Sequence, residues 1–142
     1  MRTIKNKLHL YYLTAIFSFL FALVGFSYNA WRMEASEFNN NVRTASFEVL
    51  ENLAELEQNV YAAHYDNDEV MGSARIGWVK IGLINDLSTL ISSDVAGNAM
   101  KLKLNWSEHW TLIPDDIAAL EQLVSDIDKV REAIKYELEH LQ

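Results

Sequence analysis

Leu8–Trp31 reads LHLYYLTAIFSFLFALVGFSYNAW, and these 24 residues contain no Asp, Glu, Lys or Arg. His9 is the only side chain among them that titrates near neutral pH. As a helix rising 1.5 Å per residue, the stretch covers roughly 36 Å, enough to cross a hydrocarbon core of roughly 30 Å with some tilt. Lys7 and Arg32 close it at its two ends. It reads as a transmembrane signal-anchor helix, and the remainder as a helical domain attached to it.

Charge supports that division. All 20 acidic residues follow Arg32, whereas Arg2, Lys5, Lys7 and Arg32 are four of the 12 basic ones. Residues 33–142 therefore hold eight basic against 20 acidic side chains, a charge of −12, and the first 32 residues carry +4. Basic residues ahead of the span favour a cytoplasmic N-terminus, which puts the acidic body on the other side. The expected layout is a cytoplasmic segment at 1–7, a single-pass span at 8–31 and an extracytoplasmic domain at 32–142, periplasmic in a bacterial inner membrane. Tyr11 and Tyr12 near one interface, and Tyr28 and Trp31 near the other, suit the aromatic belts of a bilayer. A cleaved signal peptide is the competing reading, since Gly25-Phe26-Ser27 offers small residues at a cleavage position. Its apolar region would run only about 7–15 residues, and here apolar character continues to Trp31. The chain has no cysteine, which excludes disulfides, a lipidated cysteine and thiolate metal sites.

Within the span, Thr14, Ser18, Ala22, Gly25 and Asn29 recur at steps of four, four, three and four. They form one small-residue face along which a second membrane helix could approach.

Beyond the span, Met33–Tyr65 reads as one helix continuous with the anchor. Phe38, Val42, Ala45, Val49, Leu53, Leu56, Val60 and Ala63 lay an apolar stripe along it at steps of three and four. Asp66–Ser73 breaks the pattern. Its acidic residues do not follow calcium-loop spacing, because Val70 and Met71 stand where a ligand and a glycine are needed, so a solvated turn is expected. A second helix is expected over Ser73–Ser92, with Ile76, Val79, Leu83, Leu87 and Leu90 facing the core and Ile84 and Ile91 widening that face. Gly77 and Gly82 cost helix propensity and point to close backbone approach. Ser92–Asn98, with Gly97, is expected to connect to a short helix over Ala99–Thr111. After Pro114, a last helix over Asp115–Leu141 carries Ile117, Leu120, Val124, Ile127, Arg131, Ile134, Leu138 and Leu141 in one seam. Four amphipathic helices with short connections predict an all-α chain, an antiparallel up-down-up-down four-helix bundle.

That topology would gather Tyr61, His64, Tyr65, Trp78, Trp106, His109 and Trp110 at the bundle end far from the membrane. Aromatic residues with polar handles are enriched in recognition surfaces, and they also seal core ends. His64 and His109 with Asp66 or Asp68 lack convergent ligand spacing, so no metal is expected. Arg131 stands in an otherwise apolar seam, where a guanidinium must be paired or reach out to water. Asp86, Glu48, Asn52 and Glu55 border the neighbouring stripes as partners for a structural role, and an external acidic ligand or partner is the alternative. Asp115/Asp116 and Asp126/Asp128 read as solvated helix faces. No phosphate loop, nucleophile elbow or HExxH motif is present, so neither enzyme activity nor a cofactor is expected. A body of charge −12 is unsuited to nucleic acid.

A membrane helix at Leu8–Trp31 running into four amphipathic, acidic helices resembles the periplasmic four-helix sensor domains of bacterial chemoreceptors and histidine kinases. It also resembles small single-pass proteins of the bacterial inner membrane. No second span or HAMP-like segment follows Leu141, so transmembrane signalling is not carried over. The expectation is a non-catalytic module, anchored in the lipid bilayer, that binds another protein or its own kind. A small-molecule sensor module without its own output domain is the alternative.

Overall fold

The computed structural model describes residues 2–141, with side chains from residue 8 onward; the side chains of Arg2, Lys5 and Lys7 lie outside that range. The described residues are helical and hold no strand. Four helices pack against one another: α1 (Arg2–Tyr61), α2 (Ala74–Ser88), α3 (Ser93–His109) and α4 (Ile117–His140). The chain divides into two compact units, Met1–Phe38 and Asn39–Gln142.

In the first unit the side chains from Leu8 onward are exposed. Leu, Phe, Ile, Tyr and Trp cover its helix on every side. One helix is thus long and apolar enough to cross a membrane, and its apolar window is not buried by protein.

The second unit is the bundle. α3 packs against both α2 and α4. α1 is tied to α2 by Glu55 with Lys80 and to α4 by Glu57 with Arg131. On α1, Val42, Ala45, Val49, Leu53, Leu56 and Val60 are buried, as the stripe predicts. Phe38, read as its first member, is exposed.

Local chemistry sets the ends of the helices. α1 closes through a π-helical turn, Ala62–Asp66, and Asn67 takes a left-handed conformation (φ 49°) that asparagine tolerates better than most residues. The following loop is turned on itself. Asp68 Oδ1 accepts from the N–H groups of Val70 (2.8 Å) and Met71 (3.0 Å). Asn59 Nδ2 donates to the carbonyls of Met71 (2.5 Å) and Ser73 (3.1 Å), latching the loop onto α1. Ser92 Oγ caps α3 by accepting from Val95 N–H (3.3 Å), so α3 starts at Ser93 rather than Ala99 and carries Gly97 inside it. Asp116 caps α4, accepting from Ala118 (2.8 Å) and Ala119 (3.4 Å); it is a capping group rather than part of a solvated face.

Two expected faces are corrected. On α2 the buried positions are Gly77, Ile81, Ile84 and Ser88, with Ile91 following. Ile76, Val79, Leu83 and Leu90, read as core, face solvent. The cause is Trp106. Its indole lies over Gly77, where an added Cβ would stand 2.1 Å from Cη2, so only glycine lets α2 present this side to α3. Gly82, by contrast, borders open space. On α4 the buried line is Leu120, Leu123, Ile127, Val130 and Ile134. Val124 and Arg131 lie on its flank, and Ile117 is exposed.

Candidate functional site

Trp106 is 1% exposed and belongs to the core. It anchors the aromatic end of the bundle. Trp78 of α2 meets it edge to face, ring centroids 6.3 Å apart at 88°, and remains partly exposed. One turn beyond Trp106, Trp110 is 36% exposed. Both tryptophans line a half-enclosed cavity of about 220 Å³ that also touches Asn59, Ala63, Thr111 and Pro114. Trp106 Nε1 has no hydrogen-bond partner among the described residues.

The π-helical turn after α1 supplies the second group. His64 Nδ1 lies 2.6 Å from the carbonyl of Ile113, a geometry that calls for a donating Nδ1–H and ties the turn to the α3–α4 connection. Tyr65 packs edge to face on His64 (4.7 Å) and stands 5.9 Å from Tyr61, ring centroid to ring centroid. Tyr61 donates to Glu57 Oε1 (3.1 Å). Partial burial, and then the bond to this carboxylate, raise the Tyr61 pKa above its ordinary value. Tyr61 and Tyr65 border a shallow open groove of about 730 Å³ whose floor is α4, including Leu120, Val124, Asp128 and Glu132.

The seven residues singled out from sequence therefore form two groups. Trp106 and Trp110 line the smaller cavity, with Trp78 packed against Trp106, and Tyr61 and Tyr65 edge the groove. His64 links the groups through Ile113, whose side chain also lines the cavity. His109 stands apart from both, its Nδ1 engaged by the Asn105 carbonyl of its own helix (3.0 Å).

Neither histidine Nδ1 is open to a metal, and Asp68 is committed to its own loop. Among the described residues no group of three or more His, Asp or Glu is placed to hold one.

Arg131 has partners other than those expected. It bonds Glu57 (2.8 Å) and Asp128, not Asp86, Glu48, Asn52 or Glu55. Its hydrogen bond to Glu57 raises its pKa, against the opposing effect of partial burial. It clamps α4 to α1 from the flank of the seam.

Asp126 was legible only as one of a pair of acids on α4, yet it is 7% exposed. Asn105 of α3 (2.7 Å), Lys129 (2.7 Å) and Gln122 (3.5 Å) donate to it, which satisfies a carboxylate that burial would otherwise penalise. Its spacing from the buried Leu123 and Val130 was the available signal.

In the first unit Thr14, Ser18, Ala22, Gly25 and Asn29 are all exposed. A Cβ at Gly25 would meet nothing, and Thr14 Oγ1 donates back to the Leu10 carbonyl (2.8 Å). The face is open along its length. Comparison of the whole chain with family models, curated proteins and solved structures returned no match.

Proposed function

We propose that this chain is a non-catalytic, membrane-anchored interaction module. Leu8–Trp31 crosses a bacterial inner membrane once, with Arg2, Lys5 and Lys7 on the cytoplasmic side and the bundle in the periplasm. The bundle runs up-down-up-down, each helix antiparallel to the next. The module binds another protein through its aromatic end, through the small-residue face of its anchor, or through both.

One observation carries the reading. Trp78, Trp110, Tyr61 and Tyr65 keep large aromatic surfaces in reach of solvent, Trp78 packed on the buried Trp106 and Tyr65 on the carbonyl-bound His64. Aromatic side chains supply contact area with few rotatable bonds, which is why they dominate interface energetics.

The small-molecule reading has less support. The cavity beside Trp110, at about 220 Å³, is below the roughly 300 Å³ at which ligand pockets begin. The larger groove is shallow and open, a shape suited to a polypeptide segment. The test uses gently solubilised membranes and in-cell crosslinking. Replacing Trp78 and Trp110 by alanine should remove a captured protein while the helical content holds and unfolding stays cooperative. Unchanged capture by the folded double variant defeats the aromatic end as the site. Trp106 is unsuitable for this purpose because its loss would unseat the core.

A further inference from the structure

The half-enclosed cavity beside Trp110 is lined by two deeply buried residues that each keep a polar atom without a partner. Trp106 is one, and its indole Nε1–H donates to nothing among the described residues. Asn59, 3% exposed, is the other. Its Nδ2 donates to the carbonyls of Met71 and Ser73, which fixes the orientation of the amide and leaves Oδ1 without a donor. The two atoms are neighbours. A Cβ added at Gly77 would meet both Trp106 Cζ2 and, at 3.0 Å, Asn59 Oδ1, and Nε1 is two bonds from Cζ2 in the indole ring.

Val60, Ala63, Ile113 and Pro114 make much of the remaining wall, and no charged side chain lines it. A buried donor and a buried acceptor left unpaired are costly, so an occupant that pairs both is favoured. A charged occupant is not, since a carboxylate or an ammonium would lose its water and find no opposite charge. One water would bridge the pair but, at about 30 Å³, would leave most of the space unfilled. Further waters would lack the several polar partners that each needs. What fits is a short apolar body ending in a neutral group that accepts at one atom and donates at the next. A primary carboxamide is such a group.

We infer that this cavity is a binding site for a neutral carboxamide, whose oxygen accepts from Trp106 Nε1–H and whose NH2 group donates to Asn59 Oδ1. At about 220 Å³ the space suits one side chain rather than a cofactor. The source of the carboxamide rests on the interaction reading above: it is a glutamine or asparagine that the partner polypeptide inserts beside the partly exposed Trp110, as interface anchors fill pockets.

The test is a nuclear magnetic resonance titration of the full chain in detergent micelles, isotope-labelled at the indole nitrogens of its four tryptophans. Trp31→Phe, Trp78→Phe and Trp110→Phe each remove one indole N–H signal, and the one that remains in all three belongs to Trp106. Propionamide reproduces the glutamine side chain and should shift the Trp106 signal saturably. Methyl ethyl ketone keeps the carbonyl but loses the donor, and should bind about ten-fold more weakly. Propionate should not bind. Blocked glutamine (N-acetylglutamine methylamide) should bind at least as tightly as propionamide. A Trp106 signal that propionamide leaves unmoved, as in a cavity that holds water alone, overturns the inference, and so does equal binding of the ketone or of propionate. Binding of propionamide without binding of blocked glutamine overturns the polypeptide source. No partner is needed for these measurements, so they fail separately from the capture experiment. Capture that depends on Trp78 and Trp110, with no response to propionamide, sinks this inference alone; a response to propionamide with no captured protein upholds the site and sinks the interaction reading.

Discussion

α1 and α2 differ in how they relate to the core. Within the bundle α1 has one apolar stripe, from Val42 to Val60, and polar residues such as Asn41, Glu48, Glu51, Glu55 and Gln58 elsewhere. α2 has two apolar sides and only three charged residues, Arg75, Lys80 and Asp86. The side with more aliphatic side chains, Ile76, Val79, Leu83 and Leu90, is the exposed one. The other contains a glycine and a serine and is buried. Periodicity selects a face when only one is apolar. When two compete, shape decides, and here a tryptophan fits only where a side chain is missing.

The largest expected effect tests that fit. Gly77→Leu should cost more than about 4 kcal/mol, because an added side chain overlaps Trp106 and overpacking of this degree has no cheap relief. Denaturant unfolding followed by tryptophan fluorescence reads it; a variant as stable as wild type would mean that α2 turns its other side inward.

Next is the α1 stripe. Leu53→Ala, at a fully buried position, should cost about 3 kcal/mol in the same assay. A loss under about 1 kcal/mol would mean that α1 is less central to the core than its burial implies.

Asp126→Ala should cost about 2 kcal/mol by stripping Asn105 of its acceptor, with Lys129 losing less because it reaches solvent. Melting curves of Asp126→Ala and Asp128→Ala compared side by side should separate the buried acid from its exposed neighbour.

Smaller again is the outward side of α2. Val79→Ser should change stability by less than about 0.5 kcal/mol. A loss of 2 kcal/mol would return Val79 to the core and reverse the comparison.

The smallest effect is at the end of α1. The Tyr61 pKa is raised in the folded state, so the neutral phenol is favoured there. Its contribution is whole below the ordinary value near 10 and is lost as pH rises through the higher folded value. Stability of wild type and Tyr61→Phe should therefore differ by a constant amount below pH 10, with wild type losing ground above it. Parallel unfolding curves at pH 8 and pH 11 check the sign.

Other residues mark where legibility stops. Trp106 and Trp110 lie one turn apart on α3 and look equivalent in the sequence, but one is core and the other partly wet. Their difference depends on Gly77, which sits on another helix. Arg131 was recognisable as a group needing an acid, because a guanidinium beside an apolar line is costly unpaired. Which acid it finds depends on how α4 is rotated against α1, and Glu57 rather than Glu55 lies on that side. The acidic loop after α1 was recognisable as a turn from its composition alone.

By itself the sequence determined the helices, the apolar stretch Leu8–Trp31 with its charge asymmetry, and the inward line of α1. Each of these depends on residues adjacent in the chain or spaced by one helical turn. Only the tertiary structure decided which side of α2 is dry, which carboxylate holds Arg131, and that Asp126 is buried. Those outcomes come from contacts between helices, where a steric fit or an ion pair rotates one helix against another and no local period records the angle.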